Sequence, residues 1–406
     1  MQILVLDTIH GGNAIGDAFL SRGDKVDLVD VYRGGSPVSV EAALSRSYDL
    51  IVAPVHLDPD HPLLKAARVP VISHHEAVRQ LVHGNVPDVM VEITGARGKT
   101  TTAHALASLM PGNGILHTSS GTFRFPEKTL VSRSSITPGS VLAAVKLAKE
   151  INGWLIVEES LGITGAGSLG IITSAEDYRF AAGKKSAIDA KTASAGHCRR
   201  LLLAGRIPSA RTEGVVYIED AASCRVTECT VTLGGTTRRF TNPLLALPAY
   251  RDCLMLAATA AVMLGIDPAP LASFTALPGR MSARYDGDVL VVDNANSGTN
   301  AETTIDAAQY ARNASGHDGI TLVIGQQEGD GAVCEGFAPD QQLAAIEAIR
   351  PVHLIRVGRV PDSGTPEEPR HVPQTTARVA SLEEGYTLAQ QKTTQGSVVL
   401  AVKTWR

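Results

Sequence analysis

The chain has 406 residues, room for two to four domains. Apolar residues make up 44% and charged residues 19%, which excludes bulk disorder, and with aromatics at only 4% the cores must be mostly aliphatic. A formal net charge of -4 argues against a general nucleic-acid binder.

The N-terminal "MQILVLD" reads as a strand over residues 2–6, because an aliphatic run stopped by Asp7 is not the apolar core of a signal peptide. Helical periodicity follows at 12–22, and aliphatic runs at 25–31, 50–55 and 70–73 supply further strands, the rhythm of a small parallel α/β unit. The "HGGNAIG" turn lacks a full GxGxxG and reads as a tight turn. Polarity rises at Asn85-Val86-Pro87-Asp88, which sets a first domain at 1–88.

A strand at 89–93 then runs into "ITGARGKTTT". Gly95 and Gly98 allow close backbone approach, and a helix starting near Lys99 would aim its N–H groups and dipole at an anion. In this reading Gly95, Ala96, Arg97, Gly98, Lys99, Thr100 and Thr101 cradle ATP phosphates; Lys99 pairs the β- and γ-phosphates and Thr100 reaches Mg2+. Residues 215–240 alternate with turn signals and suggest a small β insertion, and a helix at 253–265 precedes the end of a second domain, 89–278. The third domain, 279–406, opens with a loop, a strand at 288–293 and a helix from about 300, with aliphatic strands at 320–325, 352–357 and 397–402.

Between Tyr178 and Thr212 the chain carries Arg179, Lys184, Lys185, Lys191, Arg199, Arg200, Arg206 and Arg211 against one acid, Asp189. This block is either a solvated helical face or the seat of an acidic partner beside the ATP site. Five scattered cysteines (Cys198, Cys224, Cys229, Cys253, Cys334) without a CxxC pair fit a reducing cytoplasm. The longest apolar run, Cys253 to Ile266, suits a buried helix, so no membrane partner is expected. No Cys/His cluster in the linear sequence offers a metal centre.

Only Gly95-Ala96-Arg97-Gly98 precedes Lys99, and this shortened "TGxxGKTT" resembles the Mur ligase family, ATP-dependent ligases that phosphorylate a carboxylate and let a nucleophile displace the phosphate. The resemblance implies an α/β protein of three domains: an N-terminal Rossmann-like domain, a central P-loop ATPase domain with a small β insertion, and a C-terminal α/β domain. It places Glu158 of "LIVEESL" on magnesium, leaving Glu159 as an extra charge on substrate or a second ion, or as a solvated strand end. Lys191 best matches the family's carbamylated, metal-binding lysine, with Lys184 and Lys185 as rivals; Tyr178 stands where the family has a metal-binding histidine. Gly279-Arg280 matches the start of the third domain, with Arg280 on ATP phosphate and Asp293 and Asn294 on the nucleotide side. Arg179, Lys184, Lys185, Asn296 and Lys403 are candidate substrate contacts. The family's adenine-holding asparagines are replaced by "AYRDCLMLAATAA".

"LVLDTIHGG", "EES", "AEDYRFAAGKKSA" and "VVDNANSGTN" also look like the Mur-like ligases of methanogenic archaea. That likeness implies an acidic nickel tetrapyrrole as substrate, with nickel carried by the substrate and not by the protein. ATP would phosphorylate one propionate, and a macrocycle carbon would attack the acyl phosphate and close a carbocyclic ring. His117, His104 and Glu159 are candidate bases. The rival within enzymes is a Mur-like amide ligase; rivals of other classes are a nucleotide-dependent switch and a dehydrogenase.

Overall fold

The computed structural model describes residues 1–210, 213–327, 336–358 and 370–404; Arg211 and Cys334 lie outside the described residues. The chain divides into two compact units, Met1–Phe274 and Thr275–Arg406.

In the first unit, the aliphatic runs near the N-terminus form strands Lys25–Val29, Gln2–Leu6, Leu50–Ala53 and Val71–Ser73, side by side in that order and all parallel. Parallel strands need crossovers, which helices Gly12–Ser21, Val40–Leu44 and Pro62–Lys65 help to supply. The first crossover starts abruptly. A side chain at Gly12 would stand 1.7 Å from the carbonyl oxygen of Asp7, so the tight turn expected of "HGG" is also a sterically required one.

The second sheet of this unit has eight strands, in the order Val215–Tyr217, Arg200–Leu203, Leu169–Ile172, Met90–Thr94, Trp154–Glu158, Gly114–Thr118, Gly121–Phe125 and Thr129–Ser132. The first six are parallel and the last two extend it as antiparallel neighbours. Val215–Tyr217 was expected in the β insertion but pairs with Leu201–Leu203 at the edge of the main sheet. Alternation identifies a strand without naming its partner. The insertion itself is the antiparallel trio Ala222–Arg225, Glu228–Leu233 and Thr236–Thr241. The following helix, Pro248–Met263, begins earlier than expected, with Pro248 in the first turn where its missing N–H loses nothing.

One aliphatic core joins the two sheets. Ile3, Val5 and Phe19 share it with Met90, Ile115 and Leu155, and with Val141 and Ala144 of helix Pro138–Glu150. One face of the first sheet is thereby packed against the half of the unit that carries the P-loop.

Among the described residues, the second unit has six strands in the order Ser282–Asp286, Val289–Asp293, Ser397–Lys403, Ile320–Gln326, His353–Val357 and Thr375–Val379. All are parallel except the first, which forms a hairpin with Val289–Asp293 in a region expected to be loop. Helices Ala301–Ser315, Pro339–Ile349 and Leu382–Lys392 accompany this sheet. The fold class is α/β in both units, and among the described residues no helix is long and apolar enough to cross a membrane.

Because Phe19 is fully buried in the shared core, Phe19→Ala is expected to lower stability by about 3–5 kcal/mol, read from denaturant midpoints of the full chain. A midpoint unchanged from the parent would contradict the shared core.

Candidate functional site

Strand Met90–Thr94 ends at the centre of the large sheet, between Leu169–Ile172 and Trp154–Glu158, and helix Lys99–Ala107 leaves from its end. The loop Gly95–Gly98 between them is braced from the neighbouring strand. The Thr173 amide donates to the Thr94 carbonyl at 2.8 Å, and the Thr173 hydroxyl donates to the Thr94 and Arg97 carbonyls. The Ala96 amide donates to Ser174 Oγ at 2.9 Å. Gly95 sits at φ +153° with Thr173 so close that a Cβ would lie 2.1 Å from its hydroxyl oxygen. Glycine is thus demanded twice, by backbone angle and by space. The backbone N–H groups in the first turn of helix Lys99–Ala107 have no intrahelical partner, which makes this end an anion site.

Lys99 and Thr100 meet Glu158 at this point. Thr100 Oγ1 donates to Glu158 Oε2 at 2.8 Å and lies 3.1 Å from Ser119 Oγ; the Ser119 amide also donates to Glu158 Oε2, at 3.1 Å. Lys99 Nζ donates to the Gly95 carbonyl at 3.2 Å and stands 3.9 Å from Glu158 Oε1. Hydroxyl and carboxylate oxygens are the hard ligands that magnesium takes, so the residues present fit that ion. Thr101 is buried one residue further along the helix, and Arg97 pairs with Glu176. The brace residues Thr173 and Ser174, and Ser119, were not singled out as site residues from the sequence. Their signal was polar residues directly after buried strands of the sheet that carries the P-loop strand.

Glu159 turns the other way. It is fully buried beside Glu92, whose carboxylate accepts from the Gly165 and Gly167 amides at 3.0 and 2.7 Å and from the Thr164 hydroxyl. The Thr164 amide donates to Glu159 at 3.3 Å. Burial first, then the charge and hydrogen bond of Glu92, push the Glu159 carboxyl well above its ordinary range, which favours its neutral form. The structure places Glu159 in this pair and not with Thr100 and Lys99.

Lys191, on helix Ala187–Ala195, is fully buried, and its Nζ has no hydrogen-bond partner among the described residues. It lies 4.6 Å from the centre of the Tyr178 ring. Burial, with the Lys99 charge adding to it, lowers its ammonium to about 8. Tyr178, at the family's histidine position, therefore serves as a face for this amine. The neighbouring basic residues are mostly committed elsewhere. Lys184 pairs with Asp58 and Asp60, and Lys185 Nζ donates to the Val55 carbonyl at 2.8 Å, so both hold the loop that follows Leu50–Ala53. Arg179 is exposed on a short strand, Arg179–Phe180. His117 is bonded to Thr122, Ser140 and the Ser135 carbonyl, and His104 packs edge-on against Phe123.

In the second unit, Asp293 ends strand Val289–Asp293, is buried, and accepts from the Ala295 amide at 3.1 Å. The asparagines after it are tied into the chain. Asn294 Nδ2 donates to the Thr303 carbonyl at 3.0 Å, Asn296 Nδ2 to the Gly279 carbonyl at 2.7 Å, and Asn300 caps helix Ala301–Ser315. The Asn296 bond brings the Gly279-Arg280 turn beside the end of this strand. Lys403 ends the neighbouring strand Ser397–Lys403.

Residues 283–404 match the family described as coenzyme F430 synthetase CfbE, C-terminal domain. The whole chain is 29% identical to a coenzyme F(430) synthetase of Methanosarcina acetivorans, covering 99% of that protein. Among solved structures, a pseudomurein peptide ligase type C from Methanothermus fervidus aligns over 99% of this chain and 97% of its own, with 14% identity and a TM-score of 0.51. A UDP-N-acetylmuramoylalanyl-D-glutamyl-2,6-diaminopimelate–D-alanyl-D-alanyl ligase from Acinetobacter baumannii aligns over 90% of this chain and 83% of its own, with 14% identity and a TM-score of 0.54. The fold is that of the Mur ligases.

The buried acid pair sets a pH dependence. A carboxyl whose folded value is raised stabilises the fold fully below its unfolded value and loses that contribution as pH rises through the folded one. Glu159→Gln removes the titrating group, so as pH rises above the ordinary carboxylate range its unfolding free energy is expected to fall less steeply than the parent's. Equal slopes in denaturant titrations would contradict a raised Glu159 carboxyl.

Proposed function

We propose, for a chain with the Mur-ligase fold and the C-terminal domain of the coenzyme F430 synthetases, that the cradle activates a propionate of a nickel seco-tetrapyrrole for ring closure. The chain is an ATP-dependent ligase of the Mur type, and the full-length Methanosarcina acetivorans relative carries the name coenzyme F(430) synthetase. The observation that carries the reading is the meeting of Lys99, Thr100 and Glu158 at a glycine turn braced open by Thr173.

Phosphoryl transfer needs positioning and neutralised charge more than a covalent side chain. The helix N-terminus and Lys99 would bind the β- and γ-phosphates of ATP. A magnesium ion held by Thr100 and Glu158 would supply further charge neutralisation at the phosphates. A propionate oxygen attacks the γ-phosphorus and ADP leaves. A macrocycle carbon, having lost its proton, attacks the acyl carbon; phosphate departs with the former carboxylate oxygen, and a ring ketone remains. Every atom of the nucleophile is in the substrate, so no site for an incoming amine is required.

Further assignments rest on the family resemblance. Arg280 is proposed as a phosphate partner, Asp293 and Asn294 as nucleotide-side residues, and Arg179, Asn296 and Lys403 as contacts to the acidic tetrapyrrole. Lys191 is proposed as a carbamylated lysine, a reading supported by its burial and lowered ammonium, which leave neutral amine for carbon dioxide near neutral pH. The partition 1–88, 89–278 and 279–406 is proposed as the domain plan, supported by separate sheets in 1–88 and 89–278.

Lys99→Ala is expected to cut ATP turnover by a factor on the order of 1,000 while the folded spectrum stays that of the parent. Glu158→Gln is expected to weaken the magnesium dependence, and Glu159→Gln to leave it unchanged. ADP release by the parent should rise with the nickel seco-tetrapyrrole acid and no amine present. Stimulation only on adding an amine would return the chain to amide-forming chemistry.

A further inference from the structure

We propose that Asp7, His10 and His56 form a site for a free divalent first-row transition-metal ion at the carboxyl end of the first sheet. The site shares no residue with the P-loop and does not depend on the reaction proposed for it.

The topology brings the three residues together. Asp7 and His10 follow strand Gln2–Leu6, and His56 follows the adjacent strand Leu50–Ala53. The strand order places Lys25–Val29 on one side of Gln2–Leu6 and Leu50–Ala53 on the other, so successive crossovers diverge at this point. In open parallel α/β sheets, ligands bind in the crevice where the connections diverge in this way. Asp7 is fully buried and held at φ +78°, a left-handed backbone that non-glycine residues adopt rarely and that clusters at functional sites.

The carboxylate divides its oxygens. Asp7 Oδ1 accepts from the Ile9 and His10 amides at 2.8 and 3.1 Å, which fixes the group. Asp7 Oδ2 faces the imidazoles, 2.7 Å from His10 Nδ1 and 3.8 Å from His56 Nε2. His56 Nε2 is buried and has no hydrogen-bond partner among the described residues. The His56 ring is held in place, stacked on Tyr32 with centroids 5.6 Å apart and an interplanar angle of 17°, and meets the His10 ring edge-on at 4.6 Å.

All three ligand atoms lie within 4.8 Å of one another. A tetrahedral ion with bonds of about 2.0–2.2 Å sets its ligands roughly 3.4 Å apart. The separations of 2.7 and 3.8 Å from Asp7 Oδ2 bracket that spacing, so shifts of under about 1 Å would close the set. The His10–Asp7 hydrogen bond would be exchanged for two metal bonds. The amides on Oδ1 are the orienting partners such ligands need. Two imidazole nitrogens and one carboxylate oxygen suit zinc, cobalt or nickel better than magnesium or calcium, and leave a position for water or a ligand. Three donors converging on one point also favour a free ion over one already ringed by a macrocycle, whose four equatorial positions are filled.

The test is titration of chelator-treated full-length protein with Co2+, followed by the visible absorption of the bound ion, and with Zn2+ by calorimetry. The parent is expected to take up one equivalent. His56→Ala and His10→Ala are expected to weaken it at least about 10-fold with unchanged circular dichroism. Asp7→Asn should do the same, and if it fails to fold the two histidine variants carry the result alone. Lys99→Ala, altered only at the P-loop, should bind as the parent does. No uptake by the parent, or uptake unchanged in the His10→Ala/His56→Ala double variant, would overturn the proposal.

Discussion

The P-loop half of the protein depends on one close approach, that of Gly95 to Thr173. A loop of four residues must reverse the chain between a buried strand and a helix. Thr173 achieves this from the next strand by taking the carbonyls of Thr94 and Arg97, and Ser174 by taking the Ala96 amide. The hydrogen bonds that close the turn therefore come from behind it. Any side chain at position 95 would occupy the place of the Thr173 hydroxyl and push the brace away. The order of strands in the large sheet matters for the same reason. Leu169–Ile172 must lie beside Met90–Thr94 for its following residues to reach the loop, and Trp154–Glu158 must lie on the other side to deliver Glu158.

Two adjacent glutamates at the end of one strand illustrate how the pleat sorts charge. Glu158 faces Thr100 and Lys99, where a negative group is useful beside cations. Glu159 faces the opposite side, beside a second acid, Glu92, which is ringed by glycine amides and Thr164. Desolvation and the neighbouring acid together favour the neutral form of Glu159 there. The same economy appears at Lys191, whose burial over Tyr178 lowers its charge and sets it apart from the exposed basic residues around it.

Much of this was legible in the sequence because its signals are local. The aliphatic runs at 2–6, 25–31 and 50–55 became parallel strands, and the "GARGKTTT" turn opened a helix at Lys99. What stayed hidden was pairing. Val215–Tyr217 looked like its antiparallel neighbours but joins the main sheet, and Ser282–Asp286 looked like loop because half its residues are polar and exposed at an edge. The brace from Thr173 lies 78 residues from Gly95 in the chain (173 minus 95), and no spacing rule links them. His56 and His10 were unlinked for the same reason, being brought together by strand adjacency alone. The basic block was read as a substrate seat or a solvated face, yet Lys184 and Lys185 are fastened to the 55–60 loop, a use of charge that composition does not reveal.

The most direct test of carboxylate activation is the fate of a labelled oxygen. With the acceptor propionate carrying 18O, a single turnover with ATP should move one labelled atom into inorganic phosphate, because the oxygen that attacks the γ-phosphorus leaves with it. Unlabelled phosphate released together with ADP would mean that the cradle hydrolyses ATP without forming an acyl phosphate, and would contradict the ligase mechanism built on Lys99, Thr100 and Glu158.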